Sequence, residues 1–116
     1  RKGAPSAAAR ENGAVEEVYR LVAAHYGENI GLEWLAERVG LSPNYLSSLF
    51  KSESGQGVTQ YLSAYRMEKA KQLLLQTNLR IADIGKSVGY PNTSYFCQQF
   101  KRFFGVTANS MRENGE

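Results

Sequence analysis

The chain has 116 residues, 42% of them hydrophobic and 22% charged, with one cysteine and a formal net charge of +3. That length suits one small domain with a core. A single cysteine excludes an internal disulfide and fits a reducing cytosol, so we expect a cytoplasmic protein; no signal peptide or apolar run of about 18 residues suggests a membrane span.

Residues 1–13, small and punctuated by Gly and Pro, read as a linker or appended remnant. A first helix is predicted from Ala14 to His25, with Val15, Val18, Tyr19, Val22 and Tyr26 on one face. Gly27 and Gly31 bracket a turn. Leu32, Leu35, Ala36 and Val39 then recur at i, i+3, i+4, i+7, the pattern of a helix with one buried stripe. Gly40 ends it, Ser42 caps the next helix and Pro43 occupies its first turn. That helix is expected over about 43–54, with Leu46, Leu49 and Phe50 inward.

Gly55 and Gly57 break the chain, and Thr59 is placed to cap a long helix reaching about Gln76. At about 17 residues it would span roughly 25 Å and serve as a spacer. A second short helix follows from Ile81 to Val88, then a Gly89-Tyr90-Pro91 turn and a helix from Asn92 to Phe104. A last helix covers Thr107 to Arg112, and 113–116 form a tail. No strand pattern competes, so the fold class is all-α: two helix-turn-helix subdomains (about 14–57 and 77–112) joined by a long helix (about 58–76).

The two subdomains repeat one another. Val39-Gly40-Leu41-Ser42-Pro43-Asn44-Tyr45-Leu46 returns as Val88-Gly89-Tyr90-Pro91-Asn92-Thr93-Ser94-Tyr95-Phe96, offset by 49 at Val-Gly and 50 from the Tyr onward. Helix, Gly turn and second helix, twice over, describe units whose second helices can enter a DNA groove. Charge agrees: residues 11–41 carry six acidic and two basic side chains, whereas 42–112 carry nine basic and three acidic. That asymmetry is an electrostatic footprint for a polyanion.

In the second copy Tyr95, Phe96, Phe100, Phe103 and Phe104 define the expected core side. Thr93, Ser94, Cys97, Gln98 and Lys101 are left outside, and in the first copy Asn44, Ser47, Ser48 and Lys51. Gln can pair with adenine through two hydrogen bonds, and hydroxyls suit several base edges. Lys51, Lys101 and Arg102 are expected on phosphates, where they set register without reading sequence.

These residues resemble the DNA-binding domain of AraC/XylS-type transcription regulators, most of all the output domains of two-component response regulators. The resemblance covers Ala14 to Arg112 and is carried by Leu-Ser-Pro-Asn-Tyr-Leu-Ser-Ser-Leu-Phe-Lys (41–51), Tyr-Leu-Ser-Ala-Tyr-Arg-Met-Glu-Lys-Ala-Lys-Gln-Leu-Leu (61–74), Ile-Ala-Asp-Ile-Gly-Lys-Ser-Val-Gly-Tyr (81–90) and Tyr-Phe-Cys-Gln-Gln-Phe-Lys-Arg-Phe-Phe-Gly-Val-Thr (95–107). It implies seven helices and recognition helices in successive major-groove segments, a groove repeat of about 34 Å. Carried over by position, it implies base contacts from Asn44, Ser47, Ser48, Thr93, Ser94, Cys97 and Gln98. Arg66 matches an arginine of the family's linker helix, with packing and phosphate roles both open. The implied partner is double-stranded DNA in a bacterial cytoplasm. A receiver or sensory domain is expected upstream of Arg1.

The chain departs from the family at several positions. Cys97 and Gln98 stand where Ser and Arg are frequent, so base preference is not inherited. Gly85 replaces a usual Ala, at a cost of about 1 kcal/mol to its helix, and Ala108 and Met111 replace Pro and Tyr. We therefore expect Ile81–Gly89 to be the softer segment.

The remaining residues offer little chemistry. His25 has no partner for metal or catalysis near it in sequence, Cys97 reads as a small exposed filler rather than a redox sensor, and Tyr61 and Tyr65 read as packing. Trp34 caps a core edge or marks a patch for another domain or RNA polymerase. With no Gly-rich phosphate loop, paired carboxylates or Ser/His/Asp set, no enzyme, cofactor or metal is expected. Two rival readings stand beside specific DNA binding: a helix-turn-helix module for protein contact, and non-specific DNA coating.

Overall fold

Local capping sets most of the helix boundaries. The computed structural model describes residues 7–115, and among them lie α1 (Ala7–His25), α2 (Leu32–Val39), α3 (Pro43–Ser54), α4 (Val58–Gln76), α5 (Ile81–Ser87), α6 (Thr93–Phe104) and α7 (Ala108–Asn114), with no strand. Ser42 Oγ accepts the Tyr45 N–H at the start of α3, Asn92 Oδ1 the Tyr95 N–H at the start of α6, and Thr107 Oγ1 the Ser110 N–H at the start of α7. Each satisfies a donor that the helix itself cannot reach.

Several boundaries differ from the sequence reading. Helix α1 begins at Ala7, seven residues earlier than expected, because Ala-Ala-Ala-Arg-Glu is a run of strong helix formers. Residues 1–6 of the expected linker lie outside the described residues. Thr59 does not cap α4, which starts at Val58. There the Gln60 side chain accepts the Gly57 N–H instead, the backward half of a capping box. Val88 falls just beyond α5, Asn92 just before α6, and α7 continues to Asn114, two residues into the expected tail.

The chain forms two compact units. The first holds α1, α2, α3 and α4 as far as Leu62, and its core includes Val18, Val22, Leu35, Ala36, Leu46 and Phe50. The rings of Tyr19, Phe50 and Tyr61 meet in a mutual trio at 5.2–5.6 Å. On its surface Trp34 is stacked, with the Arg38 guanidinium 4.2 Å above its ring and the His25 ring edge-on at 5.1 Å.

The second unit takes the Tyr26–Asn29 turn and everything from Ser63. Its core gathers Met67, Ala70, Leu74, Ile84, Val88, Phe96, Phe100, Ala108 and Met111. Ala108 and Met111, which depart from the family pattern, are both buried. Arg112 adds a clamp: Nε donates to Leu74 O and Nη2 to Thr77 O, both at 3.1 Å, docking α7 onto the end of α4.

Glycine has a packing role at Gly85 and Gly89. A Cβ on Gly85 would lie 2.9 Å from Cγ and Cδ2 of Phe96, so the missing methyl is the space that the Phe96 ring occupies. Gly89 combines φ +100° with a close approach to Arg66 Nε and Tyr26 O, which no residue with a side chain could share.

Candidate nucleic-acid interface

Helices α3 and α6 are built alike. Each opens on a side-chain cap, buries two residues four apart (Leu46 and Phe50; Phe96 and Phe100) and closes on a left-handed glycine, Gly55 or Gly105. The buried pair fixes which face is left outside, since residues at i and i+4 share one side of a helix.

On α3 the outer face carries Asn44, Ser48 and Lys51, all exposed, with Ser47 half-buried at its margin. On α6 it carries Thr93, Ser94, Gln98, Lys101 and Arg102, all exposed. Cys97 does not join them. It is half-buried against the second unit's core and lines a recess of about 730 Å³ with Ile81 and Ala108, so the exposed filler of the sequence reading is a margin residue.

Two aromatic residues go the other way. Tyr95 and Phe103, expected in the core, are 52% and 46% exposed, and Tyr45 in the first copy is 43% exposed. One face of a 12-residue helix is filled by Phe96 and Phe100, with Phe104 half-buried beside them; the rings on either side are pushed outward. Sequence could have shown this for Tyr95, which stands at i−3 from Gln98 and i−7 from Arg102, the spacing of one exposed stripe.

Electrostatically the faces are uncommitted. Among the described residues no ion pair or hydrogen bond engages the side chains of Lys51, Lys101, Arg102 or Gln98. Arg66 is different: Nε donates to Tyr26 O at 2.8 Å and Nη2 to Glu28 O at 2.9 Å, with Tyr90 5.6 Å from its guanidinium. These bonds give Arg66 a packing role, holding the Tyr26–Asn29 turn. Arg112, absent from the sequence-predicted set, plays the matching part at Leu74 and Thr77.

The arrangement offers two exposed helix faces of amides, hydroxyls and cations. Among the described residues no His/Cys/Asp/Glu group could hold a metal ion, and no helix is long and apolar enough to cross a membrane.

Known proteins carry the same pattern. A family model described as a helix-turn-helix domain matches residues 35–114. The regulatory protein PocR of Salmonella typhimurium is 35% identical over 99 residues, covering 85% of this chain and 33% of its own length. The C-terminal domain of the two-component response regulator yesN from Fusobacterium nucleatum superposes with a TM-score of 0.84 at 36% identity, covering 86% of this chain and 98% of that one. A transcriptional regulator of Chromobacterium violaceum, described as containing an AraC-type DNA-binding domain, gives 0.81 at 28% identity, covering 92% and 96%. The chain spans about a third or less of the length of the curated relatives it matches.

Proposed function

The chain belongs to the AraC-type helix-turn-helix family of transcription-regulator DNA-binding domains, and on that premise we propose that α3 and α6 are its recognition helices, lying in successive major-groove segments of a specific duplex. The observation that carries this reading is the matched pair of outer faces, each with amide or hydroxyl groups beside a cation that no group among the described residues engages.

Within each face the roles divide by chemistry. Gln98 is the strongest reader, because its amide can donate and accept at one adenine; Asn44, Ser48, Thr93 and Ser94 supply smaller contacts. Ser47 and Cys97 sit at the margins and touch bases through their edges. Lys51, Lys101 and Arg102 meet phosphates, a contact that adds affinity and salt dependence without sequence information. Richer readers on α6 make the second unit the discriminating one and the first the anchor.

The likeness to a response-regulator C-terminal domain supports an output role: this chain serves in the cytoplasm as the DNA-binding part of a longer regulator that carries a receiver or sensory domain and acts on RNA polymerase. A fluorescence-anisotropy titration tests the reading. Duplexes selected from a random pool should bind at least a thousandfold tighter than random duplex at physiological salt, the lower end of specific recognition. Equal affinity for both would reduce the protein to a DNA-coating module, and no binding to either would turn the same faces into protein-contact surfaces.

A further inference from the structure

Within the second unit, the Tyr26–Asn29 turn lies directly on the turn of residues 87–90 that leads into α6. Arg66 binds the first turn at Tyr26 O and Glu28 O, and its guanidinium lies 5.6 Å from the Tyr90 ring of the second. Two glycines let the backbones meet. A Cβ on Gly27 would lie 2.5 Å from Ser87 O, and a Cβ on Gly89 would lie 3.0 Å from Tyr26 O. Gly27 is not among the glycines with positive φ, so space rather than backbone conformation demands glycine there.

The corresponding turn of the first unit has no such strap. Gly40 matches Gly89 in the repeat and is also left-handed, at φ +77°, but a Cβ there would meet nothing within 4 Å. In the second unit the strapped turn is tied on both sides. Val88 N–H donates to Ile84 O at 3.1 Å and Tyr90 N–H to Gly85 O at 2.7 Å, closing the turn on α5. The buried Tyr90 ring lies 5.8 Å from that of Phe96, and Asn92, two residues on, caps α6. A displaced turn therefore displaces the start of α6.

We infer that Gly27 is a positioning residue for base reading by α6: with Arg66 it seats the Tyr26–Asn29 turn on residues 87–90 and so sets where Gln98 meets the groove. This rests on the recognition-helix reading above and adds to it the element that aims one of the two helices. Gly27→Ala must widen a gap of 2.5 Å to at least 3.4 Å for ordinary contact, and Ser87 O is backbone, so no side chain can swing aside to relieve it. Base-edge hydrogen bonds work only within about 2.7–3.2 Å. A shift of that size is enough to break them.

The test is an anisotropy titration of the selected duplex and its single-base-pair variants, made well below the melting temperature of each protein. Gln98→Ala marks the base pairs read by α6, and Asn44→Ala those read by α3. Gly27→Ala should lower discrimination by about fivefold or more at the α6 pairs, the lower end of a lost base contact, and leave the α3 pairs at the wild-type value. Gly31→Ala is the control, since a Cβ there meets nothing within 4 Å, and it should discriminate like wild type at every pair. Unchanged discrimination in Gly27→Ala, or an equal loss at the pairs of both helices, would overturn the inference, because a merely structural role lowers stability without choosing between them. Where Gly27→Ala proves too unstable to fold, Arg66→Lys decides by the same pattern, since it removes the guanidinium fork from the same turn. Should Gln98→Ala change preference at no pair, the recognition-helix reading falls and the strap with it; should it change one while the strap variants change none, only the strap falls.

Discussion

The Phe96 ring occupies the space where Gly85 would carry a side chain, 2.9 Å from its Cβ position. Helix propensity alone makes Gly85→Ala stabilising by up to about 1 kcal/mol. The contact reverses the sign, because overpacking a buried ring costs about 1–3 kcal/mol. Urea unfolding should show Gly85→Ala less stable than wild type by about 1 kcal/mol. The double variant Gly85→Ala/Phe96→Leu should lose less than the two single losses combined.

Arg66 separates packing from phosphate binding. Its two bonds to Tyr26 O and Glu28 O need the guanidinium fork, which lysine lacks. Arg66→Lys should therefore lose about 1–3 kcal/mol of stability despite keeping its charge, while the salt slope of DNA binding stays at the wild-type value. Unchanged stability on Arg66→Lys, with a salt slope flattened by about one unit on Arg66→Ala, would assign Arg66 to a phosphate.

Gln98→Ala should alter base preference at one pair by about 1–3 kcal/mol, the worth of a bidentate contact, when variants of the selected site are titrated position by position. Equal weakening on every sequence would reject the reader role.

Lys101→Ala should weaken binding to all duplexes alike and flatten the salt slope by about one unit. Titrations at four or five salt concentrations suffice to read it.

Asn92→Ala removes the oxygen that binds the Tyr95 N–H and should cost about 1 kcal/mol. Because Asn92 begins the helix carrying Gln98, the loss should appear in thermal melts and in DNA affinity together.

The repeat made α3 and α6 legible, since capping residues, inward pairs and closing glycines are all local signals. Contacts between distant parts of the chain were not. Gly85 looked like a weak point when judged by propensity, but its partner is eleven residues away on another helix. In the sequence Arg112 is one of nine basic residues of 42–112, and only the fold brings it to carbonyls 35 and 38 positions earlier. Tyr95 and Phe103 were assigned inward by ring type alone, whereas the helix face had room for fewer rings than the sequence supplies. On the candidate site, Gln98, Lys101 and Lys51 stand exposed as expected, and Cys97 was misplaced because an i+4 neighbour of a surface position can still lie against a core edge.

Trp34 is the only tryptophan of the chain, and its stacking between Arg38 and His25 lies wholly within the first unit. Tryptophan fluorescence, excited beyond the tyrosine absorption band, is therefore a private reporter of that unit, while helical circular dichroism sums over both. Unfolding traces from the two signals will coincide if the units melt as one cooperative body and separate if either melts first. The unmodified protein thus carries its own optical test of whether its two units are thermodynamically independent.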